Sequence, residues 1–214
     1  MAIKMSQFVL DNTFSVLVNF PSKIKGVVNN SSSGYVLDRK FTDKISVIDY
    51  LKSRVEASDT KIIQALQLVK LKSSLHTTLL AHLTKAELKK VQLAEVLLVA
   101  SKVIICEYFF EDLIYSEKEY FKRFFRNLMY KKGISIIFIE NDMNFVCETV
   151  SKFYLFTKNG KYKLITDFYD DEIYQYVEMP YTVELVKFFE SKGHVIDHDV
   201  TFNETLKAIY RGVQ

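Results

Sequence analysis

Glu107 closes a short apolar run, Val103-Ile104-Ile105-Cys106. A carboxylate released at the end of a buried strand can act as a general base, or it can be a capping or salt-bridged side chain. Upstream, Thr84-Lys85-Ala86-Glu87 has the spacing of a capping box. In that pattern the hydroxyl closes the first turn of a helix and the glutamate three residues on reaches back. Gly26-Val27-Val28-Asn29-Asn30-Ser31-Ser32-Ser33 is the one candidate for a phosphate-binding loop. Laid on G-x-x-x-x-G-K-[ST], it has Ser31 for the second glycine and Ser32 for the lysine, and no shift of register recovers a lysine. Backbone N–H groups and the hydroxyls of Ser31, Ser32 and Ser33 could hold an anion weakly, without the charge that anchors a terminal phosphate. His194 and His198 flank Asp197, with Asp199 following. Without a third convergent ligand this reads as a solvated loop and not a metal site. His76 and His82 carry no further signal. Cys106 and Cys147 both lie in apolar contexts and read as buried free thiols of a reducing compartment, neither bridged nor metal-bound.

The elements that must position these groups follow from periodicity. Phe14–Phe20 reads as a strand, and Ile24–Val28 as a second after a Pro21-Ser22 turn. Asn29–Gly34 reads as a small polar loop and Tyr35–Leu37 as a further short strand. Val47, Tyr50, Leu51 and Val55, then Ile62, Ile63, Leu66 and Val69, recur at helical spacing. Thr84 opens a helix whose apolar stripe is Leu88, Val91, Ala94, Leu97 and Leu98. Val103–Cys106 is a continuous apolar run, as a strand covered on both faces requires. A helix over Glu117–Tyr130 stops at Lys131-Lys132-Gly133, and Ile134–Ile139 is the next buried strand, which makes a βαβ unit with parallel strands. Asp142–Thr149 reads as a helix. Lys152–Thr157 and Lys161–Ile165 form a hairpin on Asn159-Gly160. Asp170-Asp171-Glu172 is a solvated acidic cluster, Met179-Pro180 breaks the chain, and helices over Tyr181–Lys192 and Thr201–Tyr210 follow.

Composition narrows the classes. The 214 residues suit one domain with at most a small appendage, and 49% hydrophobic with 26% charged residues is ordinary for a globular chain. No apolar run approaches a membrane span, and Asp11-Asn12 interrupts any signal-peptide profile. A net charge of +3 with lysines alternating with acids gives nucleic-acid binding no support. The Phe/Tyr-rich run Tyr108–Phe125 reads as core and interface, since a base-stacking platform would need a basic groove.

The order of these segments resembles the nucleotide-binding subunits of ABC transporters. Leu83-Thr84-Lys85-Ala86-Glu87 stands where that family carries its Ser-Gly-Gly-Gln signature loop. Cys106 and Glu107 take the place of the Walker B Asp-Glu pair, and Phe110-Glu111-Asp112-Leu113 resembles the D-loop segment. Ile137–Asp142 takes the place of the strand ending in the switch histidine, with Asn141 at that position. Gly34–Asp38 resembles the Q-loop region, with Asp38 where glutamine belongs. The tail, Met179-Pro180-Tyr181-Thr182-Val183-Glu184-Leu185 through Lys192-Gly193 and Val200-Thr201-Phe202, resembles the C-terminal extension of energy-coupling-factor and cobalt-type ATPases.

The resemblance implies an α/β fold of the P-loop NTPase type, with a parallel-sheet core, a reduced N-terminal β subdomain and a small C-terminal helical extension. It implies an ABC-like domain over residues 1–166, a helical subdomain within about 46–100, and an extension over 167–214 that could serve dimerisation. It implies two partners, an ABC ATPase in a homo- or heterodimer and a transmembrane permease, with the chain on the inner face of the cell membrane. The Thr84–Glu87 loop would face the partner's nucleotide, and movement would pass to the permease through the groove near Gly34–Phe41. The departures imply impairment. The Walker A lysine, the metal-holding aspartate and the switch histidine are replaced, Cys106 is no hard ligand for Mg²⁺, and ATP would bind weakly if at all. Glu107 is then a vestigial base. A stand-alone regulatory or scaffold protein with the same fold, and an active ATPase with a rebuilt phosphate site, are the alternatives.

Overall fold

Short β-branched and aromatic runs become strands here, and 3.6-period segments between polar caps become helices. The computed structural model describes residues 14–20, 33–38, 40–42, 44–157, 159, 161–199 and 201–213. The expected Ile24–Val28 strand, the Pro21-Ser22 turn, Ser31, Ser32, Gly160 and Val200 lie outside the described residues. Six strands form one sheet in the order β2-β3-β4-β1-β5-β6. They are β1 (Phe14–Val18), β2 (Ser33–Val36), β3 (Val103–Glu107), β4 (Ser135–Ile139), β5 (Phe153–Phe156) and β6 (Tyr162–Ile165). β2 runs parallel to β3 and β1 parallel to β5, while β5 and β6 pair antiparallel as the hairpin expected there. Ser33 and Gly34, expected in a polar loop, are instead the first two residues of β2. The parallel-dominated sheet covered by helices is the α/β architecture expected from the sequence. The described residues fall into two compact units, one within 2–14 and 25–138, the other within 15–24 and 139–214.

In the first unit, serine caps open α1 (Val47–Arg54) at Ser46 and α2 (Asp59–Leu68) at Ser58. The capping box opens α3 (Lys85–Leu98) with both reciprocal bonds in place. α3 packs so closely on β2 that a Cβ at Gly34 would collide with the Val96 side chain. α4 (Tyr115–Lys132) ends at Gly133, whose φ of 65° is the left-handed cap that glycine adopts at no steric cost. The aromatic run after Glu107 is mostly core. Phe109 meets Phe121 and Phe125 edge-on at 4.9 and 5.2 Å, and Phe125 meets Phe138 of β4 at 5.1 Å. Edge-to-face packing at these distances is the geometry aromatic quadrupoles prefer.

In the second unit, α5 (Met143–Thr149) is capped by Asp142, whose Oδ1 accepts from Asn144 and Phe145 N–H. α6 (Tyr181–Ser191) and α7 (Phe202–Gly212) pack through Val186, Ile196, Ala208 and Ile209. The acidic cluster is paired as well as solvated: Asp170 caps a 3-10 turn and lies near Lys163, and Asp171 pairs with Lys187.

Candidate functional site

β2 and β3 align with Ser33 opposite Val103 and Val36 opposite Cys106, so the residues just past both strands emerge at one end. Clefts outside the carboxyl ends of strands are where open α/β sheets receive ligands. α3 lays its first turns along this end. Lys85, Lys89 and Gln92 recur at i, i+4 and i+7, which puts them on one helix face.

Gln92 is buried, and its amide works as a strand would. It accepts from Leu37 N–H at 3.1 Å and donates to Leu37 O at 3.1 Å. That clamp fixes Leu37 and carries Asp38 N–H to Glu107 Oε2 at 3.1 Å. Lys89, 1% exposed, sits between the carboxylates. Its ammonium donates to Tyr108 O at 2.5 Å and to Asp112 Oδ2 at 2.9 Å, and stands 3.4 Å from Asp38 Oδ1. The last distance is too long for a good hydrogen bond and is an attraction of charges. Asp38 Oδ1 is buried and accepts no hydrogen bond among the described residues. Lys85, at the surface, reaches Asp38 Oδ2 at 3.4 Å.

Burial pushes the Glu107 carboxyl above its ordinary value. The charge of Asp38 adds to that rise, while the Asp38 N–H and the Lys89 ammonium work against it. Asp38 raises Lys85 by direct charge attraction. Tyr108, immediately after Glu107, has φ 47°, a left-handed conformation that a bulky residue adopts only when its surroundings impose it. The Lys89 bond to the Tyr108 carbonyl is part of that imposition.

Of the residues singled out in the sequence, Asp38, Lys85 and Glu107 come together at this end. Thr84 and Glu87 turn to each other: Glu87 Oε2 accepts from Thr84 N–H at 2.8 Å and from its hydroxyl at 2.9 Å. Ala86 is half-buried beside them. Ser33 lies at the opposite, amino-terminal end of the β2–β3 pair, so the structure does not bring it to Glu107. Asn141 belongs to the other compact unit. Its Oδ1 accepts from Asn19 N–H at 3.0 Å, and Asp142, not Asn141, caps the following helix. His198 lies in an exposed loop, as expected, but its side chain is engaged. Its ring stacks on Tyr169 at 3.7 Å between centroids, and its Nε2 lies 2.9 Å from Glu190 Oε1. Among the described residues no three His, Cys, Asp or Glu side chains converge to hold a metal ion.

Lys89 and Gln92 escaped the sequence reading, and Asp112 entered it only within the D-loop-like segment. The one available signal is the i, i+4, i+7 row of polar side chains on a helix whose other face is apolar. Toward the amino-terminal end of β2, a cavity of about 400 Å³ is lined by Ser33, Gly34, Tyr35, Leu37, Gln92 and Ser101 among others. Arg54 and Glu95, paired at 3.1 Å, also border it.

No family model and no curated protein matches the chain. Solved structures do. cbiO1 from Clostridium perfringens, part of the ABC transporter complex cbiONQ, matches at 15% identity and a TM-score of 0.57 over 86% of this chain and 87% of that one. An inward-facing ABC transporter of the metal-chelate type matches at 14% identity and 0.57 over 74% and 73%. A bacterial ABC transporter cassette in dimeric form matches at 13% and 0.51 over 57% of each chain. The fold is therefore that of an ABC ATPase cassette.

An Mg-nucleotide, which that fold implies, does not fit the residues on this rim. Cys106 is a fully buried thiol where a hard oxygen would be needed, and the nearest buried cation is already bound to Tyr108 and Asp112. No described helix is long and apolar enough to cross a membrane.

Proposed function

We propose that this chain is a cassette subunit of a membrane transporter, catalytically impaired, which pairs with a competent ATPase in an energy-coupling-factor-like importer. The observation that carries this reading is Lys89. The ammonium lies among Asp38, Glu107 and Asp112, so the carboxylates that could have faced a metal and a water are instead tied to the protein's own cation. Glu107 keeps the position of a general base, with a pKa shifted in the useful direction, and no described group is placed to hold phosphate before it. ATP would bind weakly if at all, since Ser33 opens β2 at the end away from Glu107. Residues 1–166 would form the cassette, and residues 167–214 an extension available for pairing. Thr84–Glu87 would be offered to the partner's nucleotide, Asn141 would stand at the switch position, and Asp38 would mark the groove toward a permease at the inner membrane face. The likeness to a cassette solved as a dimer and to cbiO1, which is part of a transporter complex, supports this reading.

The test is affinity purification of the full chain from its native host. We expect an intact ABC ATPase and a membrane subunit to be recovered together, and recovery of the ATPase to be lost when Thr84–Glu87 is replaced by a neutral linker. A monomer that captures neither would overturn the transporter reading and leave a stand-alone scaffold with the same fold.

A further inference from the structure

The charge of this chain is concentrated in one helix. α4 holds Lys118, Lys122, Arg123, Arg126, Lys131 and Lys132 against Glu117 and Glu119, a net +4, while the whole chain carries +3. The rest of the protein is thus slightly acidic. Both acids of α4 are already engaged. Glu117 pairs with the buried Lys90 at 2.5 Å, and Glu119 pairs with Lys122 at 3.0 Å.

Helical spacing puts Glu119, Arg123, Arg126 and Tyr130 in one outward row, with Lys131 beside it. Arg126, Lys131 and Lys132 form no ion pair among the described residues, and Arg123 bonds only the Glu119 carbonyl of its own helix. Lys102 joins them at the carboxyl end, where its carbonyl accepts from Ser135 N–H just past the Gly133 cap. Two tyrosines stand out from the same helix almost fully bare, Tyr115 at 78% and Tyr130 at 79%, with Ile114 at 66% next to the first. Two of the cations, Lys131 and Lys132, also complement the helix dipole, but Arg126 and Lys102 gain nothing from that.

From this face we infer that α4 docks on an anionic lipid surface. A helix face with a basic row and an exposed aromatic side chain near each end matches a headgroup layer. There cations meet phosphates and tyrosines sit at the polar boundary. Nucleic acid is less well matched, because the face offers no groove to follow a strand. This contact is separate from the cassette reading. It concerns α4 alone and holds whether or not the chain ever binds ATP or a permease.

Flotation of the full chain with vesicles tests it. We expect binding to vesicles containing phosphatidylglycerol and none to phosphatidylcholine alone. Arg123→Gln, Arg126→Gln and Lys131→Gln together should lower partitioning about a hundredfold, at roughly a factor of five per cation near the surface. Lys44→Gln, Lys61→Gln and Lys192→Gln together remove the same charge elsewhere and should leave binding nearly intact. Unchanged thermal unfolding of both variants would confirm that only the surface was altered. Absence of wild-type binding, equal binding to neutral vesicles, or equal loss in both triple variants would overturn the inference. Capture of an oligonucleotide through the same three residues without vesicle binding would overturn it in favour of a nucleic-acid surface. None of these outcomes bears on co-purification with a transporter, so the two readings fail separately.

Discussion

Two strand ends in this protein solve the same backbone problem with opposite chemistry. After β3 the chain turns through Tyr108 at φ 47°, and after β1 through Asn19 at φ 54°. Asparagine tolerates the left-handed region, since its short polar side chain bonds locally. Here Asn19 Nδ2 donates to Tyr176 O, and its N–H is satisfied by the neutral amide of Asn141. Tyrosine has no such aid. Its turn is held from outside by the buried ammonium of Lys89, which draws in Asp112 and Asp38 and leaves Glu107 half-buried against the Asp38 N–H. One end is neutral and exposed, the other charged and largely buried, and each is assembled from three separate segments. The charged end is the one whose groups are of a type that does chemistry, and its charges pair with one another.

Breaking the charged end should have the largest effect. Lys89→Met keeps the volume of the stem and removes the cation, stranding two carboxylates and the Tyr108 carbonyl. We expect a loss of about 3 kcal/mol in urea unfolding, at the low end for a buried pair because both carboxylates keep some contact with water. A loss near zero would show that the network holds nothing. The neutral end should yield less. Asn141→Ala frees the Asn19 N–H, which water can reach, and we expect about 1 kcal/mol by the same measurement.

Glu107→Gln sharpens the comparison through its sign. The raised carboxyl favours protonation in the folded state. Its favourable contribution is therefore complete below the unfolded value and is lost as pH rises through the folded one. Glutamine keeps an acceptor for the Asp38 N–H and cannot ionise. The variant should be more stable than the parent at neutral pH, and the advantage should disappear as pH falls below the ordinary glutamate value of 4.5. Parallel melting curves across pH would refute the burial of that charge.

The locally encoded parts of this structure could be read from sequence. The Thr84–Glu87 box needs only its own four residues, and Gly133 closes α4 as a glycine after a basic turn should. β3 and β4 are continuous apolar runs, and Glu107 follows directly from the end of one of them. The unread parts depend on residues far apart in sequence. A lysine within an amphipathic helix looks solvated until Asp38 and Asp112 are brought to it. Gln92 gives no hint that it will clamp Leu37, 55 positions away. Asn141 and Asp142 are both good caps, and which one acts depends on where β4 releases the chain. Tyr108 in a left-handed turn contradicts local preference, and only the Lys89 network explains it.

The most direct test of an impaired nucleotide site is calorimetric titration of the purified chain with Mg-ATP, together with phosphate release. We expect weak or unmeasurable binding and no turnover above background, with Glu107→Gln changing neither. Micromolar affinity accompanied by hydrolysis that Glu107→Gln abolishes would contradict it.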